Sequence, residues 1–269
     1  MIIDFHTHVF PEKISAKTVS LLAEKCGLSP FSDGTVQGLM SKMAQSGVDL
    51  SVVLPVVTSP KQFDSVNSFA VELNSLYSKS TPGIISFGGI HPLCEDIPGK
   101  MKQIKGMGLL GVKIHPDYQE TFIDDEGYEK ILLAAKENDL IVVTHAGVDA
   151  GYRDKPVRCS PERVLRLIRK VPYSKFVLAH FGANELYSEG LSLIAGEDVY
   201  IDTALNLCEI GKDIFRKLVE KHGENRILFA TDSPWSDQTR DIELIKSFEL
   251  GKETEDKIFS QNARKLLGR

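Results

Sequence analysis

The chain has 269 residues, of which 42% are hydrophobic and 26% are charged. This is the composition of a folded globular protein, and it excludes disordered and fibrous classes. A formal net charge of −5 is spread along the sequence without a lysine- or arginine-rich block, so we expect no nucleic-acid partner. The four cysteines lack C-x-x-C spacing and predict neither a disulfide framework nor a zinc knuckle.

The sequence contains no run of 18 uncharged apolar residues, and its amino terminus lacks the basic and apolar regions of a secretion signal. We therefore expect a cytoplasmic protein with no membrane partner. The length would fit one large domain or two small ones, so the order of strands and helices must decide the domain count.

Eight short runs rich in β-branched residues alternate with amphipathic stretches along the chain. The candidate strands are Ile2–His6, Leu50–Pro55, Ile84–Ile90, Leu109–His115, Leu140–His145, Lys175–His180, Val199–Asp202 and Ile227–Asp232. The helical patterns between them are Leu39–Gln45, Val66–Lys79, Tyr128–Asn138, Pro161–Lys170, Ile214–His222 and Ile242–Leu250. This order predicts a closed parallel (β/α)8 barrel, the TIM barrel, and since no linker divides it we read residues 1–269 as a single domain.

Three further segments give weaker patterns. Glu12–Gly34 predicts a helix and a loop over the barrel mouth, Glu95–Lys105 covers the third crossover, and Lys252–Leu267 predicts an extra C-terminal helix. An open doubly wound sheet is the structural alternative. The first strand is followed by His6-Thr7-His8 rather than by a glycine-rich loop, which argues against the dinucleotide-binding form of that sheet.

Six of the seven histidines lie at or just beyond the carboxyl end of a predicted strand: His6, His8, His91, His115, His145 and His180. In a parallel barrel the βα loops converge at this end, so we expect these side chains to lie close together. A single strand-end histidine is usually a hydrogen-bonded, partly buried imidazole. Six of them, with an aspartate at the eighth strand, instead predict a metal site.

That aspartate is Asp232, which ends an otherwise apolar strand. An ionised carboxylate is costly to bury there unless it is paired or ligates a metal. A loop turn or helix cap at Asp232-Ser233-Pro234 is the alternative explanation, and the neighbouring histidines favour the metal site.

Lys113 shares the inward face of the fourth strand with His115. It could form a structural ion pair with Asp4 or Asp202, anchor a substrate, or become a carbamate that bridges two metals. In the loop after the fifth strand, Arg153 could contact an anionic substrate group, although a solvated surface position explains it equally well.

Five sequence pieces follow one another in register with the strands: HTH at 6–8, GVKIHP at 111–116, THAG at 144–147, AHFG at 179–182 and ATDSP at 230–234. Together they resemble the amidohydrolase superfamily, and within it the amidohydrolase-related (amidohydrolase 2) branch of compact metal-dependent hydrolases and decarboxylases. Residues 261–267 are similar to the terminal helix of that branch.

The resemblance implies that a divalent ion is bound by His6, His8, His145 and Asp232, with His180 as a second ligand or an acid/base residue. Zn²⁺ is the first expectation for such imidazole and carboxylate ligands, although Mn²⁺, Fe²⁺ and Ni²⁺ also suit them. One ion is favoured over two. The candidates for substrate contact or a second metal are Lys113, His115, His91 and Arg153.

We expect a hydrolase that uses a metal-activated water on an amide, ester or lactone bond of a small molecule. Asp232 would transfer the proton of that water, and His180 would orient or stabilise the developing oxyanion. The alternative is a metal-dependent, non-oxidative decarboxylase of a small carboxylic acid, in which His180 would deprotonate the water. It ranks second because the decarboxylases of this branch are usually longer than this chain.

Two other classes are less favoured. In the related two-metal deoxyribonuclease branch, a glutamate after the fourth strand bridges the metals, whereas Lys113 and His115 occupy that region here. A barrel that only binds a ligand is disfavoured because all the expected metal-ligand types are present. The expected partner is a small-molecule substrate, and a homodimer is left open.

Overall fold

The computed structural model describes residues 1–269 and contains nine strands. They are β1 (Ile3–Thr7), β2 (Leu50–Val53), β3 (Gly83–Ser86), β4 (Gly88–Gly89), β5 (Gly111–Ile114), β6 (Ile141–Thr144), β7 (Phe176–Leu178), β8 (Tyr200–Asp202) and β9 (Ile227–Leu228). Every neighbouring pair is parallel. Since β3 and β4 are two parts of one barrel strand, the eight predicted strands are confirmed.

The break between β3 and β4 has a visible cause. The side-chain amide of Asn67 donates to the carbonyl of Gly89 and accepts from its N–H, both at 3.0 Å. These bonds satisfy the backbone of Gly89 on the side where β2 would otherwise pair with it. Consequently β4 pairs only with β5.

The barrel closes between the first and last strands. The N–H of Asp232 donates to the carbonyl of His6 at 2.8 Å, and the N–H of His8 donates to the carbonyl of Ser233 at 2.6 Å. A closed barrel has no free sheet edge, so these bonds exclude the open-sheet alternative. They also bring the carboxyl ends of the first and last strands together at the barrel mouth.

Eleven α-helices surround the strands: α1 (Glu12–Cys26), α2 (Val36–Ser46), α3 (Phe63–Tyr77), α4 (Ile97–Gly106), α5 (Glu126–Asn138), α6 (Pro161–Lys170), α7 (Tyr187–Leu193), α8 (Leu207–His222), α9 (Gln238–Ser247), α10 (Lys252–Asp256) and α11 (Asn262–Leu267). A π-helical turn at Lys257–Gln261 joins α10 to α11, which gives the expected C-terminal helix. The seven-residue α7 was not predicted. No helix combines the length and hydropathy that a bilayer span requires.

Two apolar clusters build the core. The larger one, of 50 residues, lies between the helices and the strands. The smaller one has 17 residues, drawn from seven strands, their flanking loops and α11, and we therefore assign it to the barrel interior. Leu266 and Leu267 of α11 belong to this smaller cluster, so the C-terminal helix packs against the barrel interior.

The remaining histidine, His222, has a structural role at the end of α8. Its Nδ1 accepts a hydrogen bond from the N–H of Gly196 at 3.2 Å, and its Nε2 donates to the carbonyl of Val199 at 3.1 Å. Both bonds suit a neutral ring. Burial lowers the pKa of His222 to about 4, so the ring stays neutral in the folded chain at pH values where an exposed histidine is protonated.

This pKa predicts a loss of stability in mild acid. Because the unfolded chain binds the His222 proton near pH 6.5, the stabilisation is complete above that pH and is lost as the pH falls towards 4. Between about pH 7.5 and pH 5, the free energy of unfolding should fall by about 2 kcal/mol more in the parent protein than in His222→Leu. Urea unfolding of both proteins checks this, and equal slopes with pH would contradict it.

Candidate metal centre and cavity

A cavity of about 600 Å³ opens where the strands end. The histidines, the lysine and the aspartates that line it come from the strand ends and the loops that follow them: His6, His8, Lys113, His115, His145, Asp149, His180 and Asp232. The apolar wall includes Ile14 and Leu22 of α1 and Val66 and Phe69 of α3. The helix expected over the barrel mouth is therefore present as α1.

In three of the histidines, an oxygen atom close to Nδ1 fixes the tautomer of the ring. Nδ1 of His8 lies 2.9 Å from the carbonyl of Leu54, and Nδ1 of His180 lies 3.3 Å from the carbonyl of Ala204. Nδ1 of His6 lies 2.9 Å from Oδ2 of Asp202. These oxygens accept, so Nδ1 carries the proton in each neutral ring and Nε2 keeps its lone pair.

The free lone pairs converge on one point. Nε2 of His6 lies 3.2 Å from Nε2 of His8, and these two nitrogens lie 3.2 and 2.9 Å from Oδ1 of Asp232. Three electron-pair donors this close repel one another unless a proton or a cation lies between them. Nε2 of His145 is also buried and has no hydrogen-bond partner. The donor set therefore fits a divalent cation.

The charges of these groups suit metal binding. Burial lowers the pKa of His180 to about 4 and holds the pKa values of His6 and His145 well below the ordinary range, so the rings are neutral. Burial alone would raise the pKa of Asp232, but the close contact with His8 and the proximity of His180 and Lys113 outweigh it and lower the pKa. Neutral imidazoles and an ionised carboxylate are the forms that bind metals.

Lys113 lies beside these donors as a buried cation. Its Nζ is 3.2 Å from Nε2 of His6, and its side chain forms no ion pair. Burial lowers its pKa to about 8, against the attraction of Asp202 and Asp232, which leaves it protonated at neutral pH. The structural ion pair, one of the three alternatives for Lys113, is not formed: Asp202 contacts His6, and Asp4 accepts from the Thr231 hydroxyl at 2.6 Å.

A second group of donors lies next to the first. The ring of His115 stacks on His145, with centroids 4.4 Å apart, and on Tyr118, with centroids 4.0 Å apart. Nε2 of His115 lies 3.4 Å from Oδ2 of Asp149. Sequence reasoning missed Asp149 and Tyr118. The available signal was the position of Asp149 just beyond the THAG piece, in a loop where only the basic residues were considered.

Two sequence candidates lie outside the cavity lining. His91 accepts a hydrogen bond at Nδ1 from the N–H of Leu93 at 3.1 Å. The guanidinium of Arg153 forms two hydrogen bonds with Glu185, one of them at 2.6 Å, so that carboxylate neutralises its charge. Neither residue is among those that line the cavity, so the structure does not bring them to the other candidates.

Comparison with solved structures shows the same barrel in other proteins. A protein described as an uncharacterized TIM-barrel protein from Bordetella bronchiseptica matches with a TM-score of 0.77 and 16% identity, over 100% of this chain and 99% of that one. A 2,6-dihydroxybenzoate decarboxylase from Rhizobium matches with 0.72 and 16%, over 99% and 98%. A 5-carboxyvanillate decarboxylase from Novosphingobium aromaticivorans, with bound manganese and 3-methoxy-4-hydroxy-5-nitrobenzoic acid, matches with 0.74 and 14%, over 100% and 97%.

At these identities the likeness establishes the fold alone. Comparison with functionally curated proteins gives no match.

The sequence also matches a family model. The model of the Amidohydro_2 family, described as amidohydrolase, covers residues 99–269. This range is more than half of the chain and includes the strand ends that carry Lys113, His145 and Asp232. The resemblance seen in the sequence pieces is thereby confirmed, and the chain belongs to the amidohydrolase family.

Proposed function

We propose that this chain is a metal-dependent, non-oxidative decarboxylase of a small carboxylic acid. The observation that carries the proposal is Lys113, a buried ammonium group without a carboxylate partner that lines a largely apolar cavity. A buried, unpaired charge is costly, and a substrate carboxylate would neutralise it. Decarboxylases with the same fold support this class of reaction.

A divalent ion would be held by His6, His8 and Asp232, with His145 as a further nitrogen donor. Zn²⁺ and Mn²⁺ both suit such ligands, and the manganese in the similar structure makes Mn²⁺ the first ion to test. Bound there, the ion would act as a Lewis acid on the substrate carboxylate and orient it.

The protein side chains would bind the substrate, exclude water and transfer the proton. Lys113 would bind the carboxylate, and the apolar wall would exclude water from the carbon that loses carbon dioxide. The reaction R–COO⁻ + H⁺ → R–H + CO₂ needs a proton delivered to that carbon. His180 is neutral and its Nε2 is not engaged, so it could take a proton from water and pass it on.

A metal-dependent hydrolase of amides, esters or lactones is the second candidate, and the lowered pKa of Lys113 favours it. With a pKa of about 8, a fraction of the amine is uncharged near neutral pH. An uncharged amine can add carbon dioxide, R–NH₂ + CO₂ → R–NH–COO⁻ + H⁺, and the carbamate oxygens could bridge two ions. The state of Lys113 therefore separates the two candidates.

The test combines metal counting with product analysis. Protein loaded with Mn²⁺ or Zn²⁺ is first analysed for its metal content. It is then assayed with hydroxybenzoic acids and, separately, with amides, esters and lactones. We expect about one equivalent of metal, release of carbon dioxide and the matching R–H product. Two equivalents, a ¹³C carbamate resonance after labelling with bicarbonate, and hydrolysis without decarboxylation would overturn the proposal in favour of the hydrolase.

A further inference from the structure

We propose that His115, Asp149 and Tyr118 form a second polar end of the cavity that binds a hydrogen-bond donor of the substrate, a hydroxyl or amino group. The inference rests on the proposed decarboxylase, because it places the substrate carboxylate at Lys113. The cavity would then be bipolar, with a cationic end at Lys113 and an anionic end at Asp149.

The hydrogen bonds of His115 favour a role as a donor to Asp149 over a role as a metal ligand. The N–H of Tyr118 donates to Nδ1 of His115 at 3.4 Å, so that nitrogen carries no proton. In the neutral ring the proton is therefore on Nε2, which faces Oδ2 of Asp149 at 3.4 Å. A protonated nitrogen has no lone pair for an ion. The donors His115, His145 and Asp149 lie close enough together to hold an ion, and we assign them instead to a hydrogen-bonding pair beside a free imidazole.

Asp149 has accepting capacity that the protein leaves unused. Oδ1 accepts from the N–H of Gly151 at 2.8 Å, whereas Oδ2 has only the long contact with His115. Burial would raise the pKa of Asp149, but the contact with His115 and the hydrogen bond from the N–H of Gly151 outweigh it and lower the pKa, so the carboxylate is ionised. No lysine or arginine pairs with it. An ionised carboxylate only accepts hydrogen bonds and repels anions.

A row of rings holds this pair in place and links it to the metal centre. The planes of His115 and Tyr118 are 16° apart, and those of His115 and His145 are 14° apart. The ring of His145 in turn lies 4.7 Å from that of His180. Because stacking restricts the rotation of His115, the position of Asp149 is preorganised for a ligand.

Together these contacts define the substrate class. It is a small carboxylic acid whose carboxylate reaches Lys113 while a hydroxyl or amino group at its other end reaches Asp149. A methoxy group, which only accepts, would leave Oδ2 unsatisfied, and a second carboxylate would be repelled.

The test is a change of preference in Asp149→Asn. Asparagine can still accept from Gly151 through Oδ1, but it presents an N–H donor where Oδ2 was. For the parent protein we expect kcat/KM to be at least about 10-fold higher for hydroxy- and aminobenzoic acids than for the matching methoxybenzoic acids. In the variant, kcat/KM for the hydroxy- and aminobenzoic acids should fall by about 10- to 100-fold. The kcat/KM for the methoxybenzoic acids should rise relative to these values.

The matched control is Asp124→Asn, since Asp124 is ion-paired with Arg163 and Arg166 and does not line the cavity. It should leave the preference unchanged. An equal loss for all acids in Asp149→Asn would show a merely structural role and overturn the inference. Two equivalents of metal in the parent protein, with one lost in Asp149→Asn, would also overturn it by revealing a second ion site.

Binding measurements separate this inference from the proposed reaction. If no acid is decarboxylated, the reaction proposal fails, and calorimetric binding of hydroxy- and methoxybenzoic acids to the manganese-loaded protein still tests the cavity. Tighter binding of the hydroxy acid, lost in Asp149→Asn, supports the donor-binding end. Equal affinities in both proteins would contradict it.

Discussion

Replacing Asp232 by alanine is expected to abolish metal binding and to lower kcat/KM on the order of 1,000-fold. This is the largest effect expected from any single change at the cavity. Oδ1 of Asp232 is the only anionic oxygen within 3.2 Å of both Nε2 atoms of His6 and His8. Without it, neutral histidine nitrogens alone would have to hold a dication at a buried site with no anionic ligand, and the affinity would fall steeply.

The measurement is elemental analysis of protein reconstituted with Mn²⁺ and then dialysed, together with steady-state kinetics. His91→Gln is the matched control, because His91 follows a strand in the same way but does not line the cavity. It should keep its metal and its activity. Retention of a full equivalent of metal by Asp232→Ala would place the ion elsewhere.

The second large effect is expected from Lys113→Met. Methionine keeps an unbranched chain of similar length in the buried site but removes the charge. We expect kcat/KM for carboxylic acids to fall by about 100- to 1,000-fold, with a higher KM, because the substrate carboxylate loses its hydrogen-bonded counter-charge. Metal content should not change, since a charged ammonium does not ligate.

Metal analysis and separate kcat and KM values check this result. Lys155→Met, at a lysine that is 54% exposed and lies outside the cavity, should leave both unchanged. If Lys113→Met instead loses one of two bound ions, the lysine is a ligand in the parent protein, and the carbamate of the hydrolase candidate accounts for it.

Much of the barrel could be predicted because its strands and helices carry local signals. Each strand is a short apolar run, and α6 begins at the Pro161 that marks its first turn in the sequence. Two features had no such signal. α7 is too short for a periodic pattern, and the break between β3 and β4 depends on the Asn67 side chain, which reaches 22 residues along the chain to Gly89.

The candidate site likewise contains residues that could be predicted from the sequence and residues that could not. Position at a strand end is enough to bring His6, His145 and Asp232 to one mouth, so the sequence could group them. The path of a loop depends on distant contacts instead. The loop that carries Asp149 is held by a hydrogen bond from the N–H of Val148 to the carbonyl of Asn184. No pattern within the loop could reveal that contact, and Asp149 was therefore missed.

The closure of the barrel has a consequence for how the protein assembles. His8 and Asp232 are 224 residues apart in sequence, and the bonds that join their strands also bring the metal donors together. Such non-local contacts form late, because most of the chain must be ordered before its ends can meet. During synthesis, the ion can therefore be captured only after the last barrel strand has docked. Once bound, it would stabilise the junction between the first and last strands, and the melting temperature would rise in proportion to the logarithm of the free metal concentration.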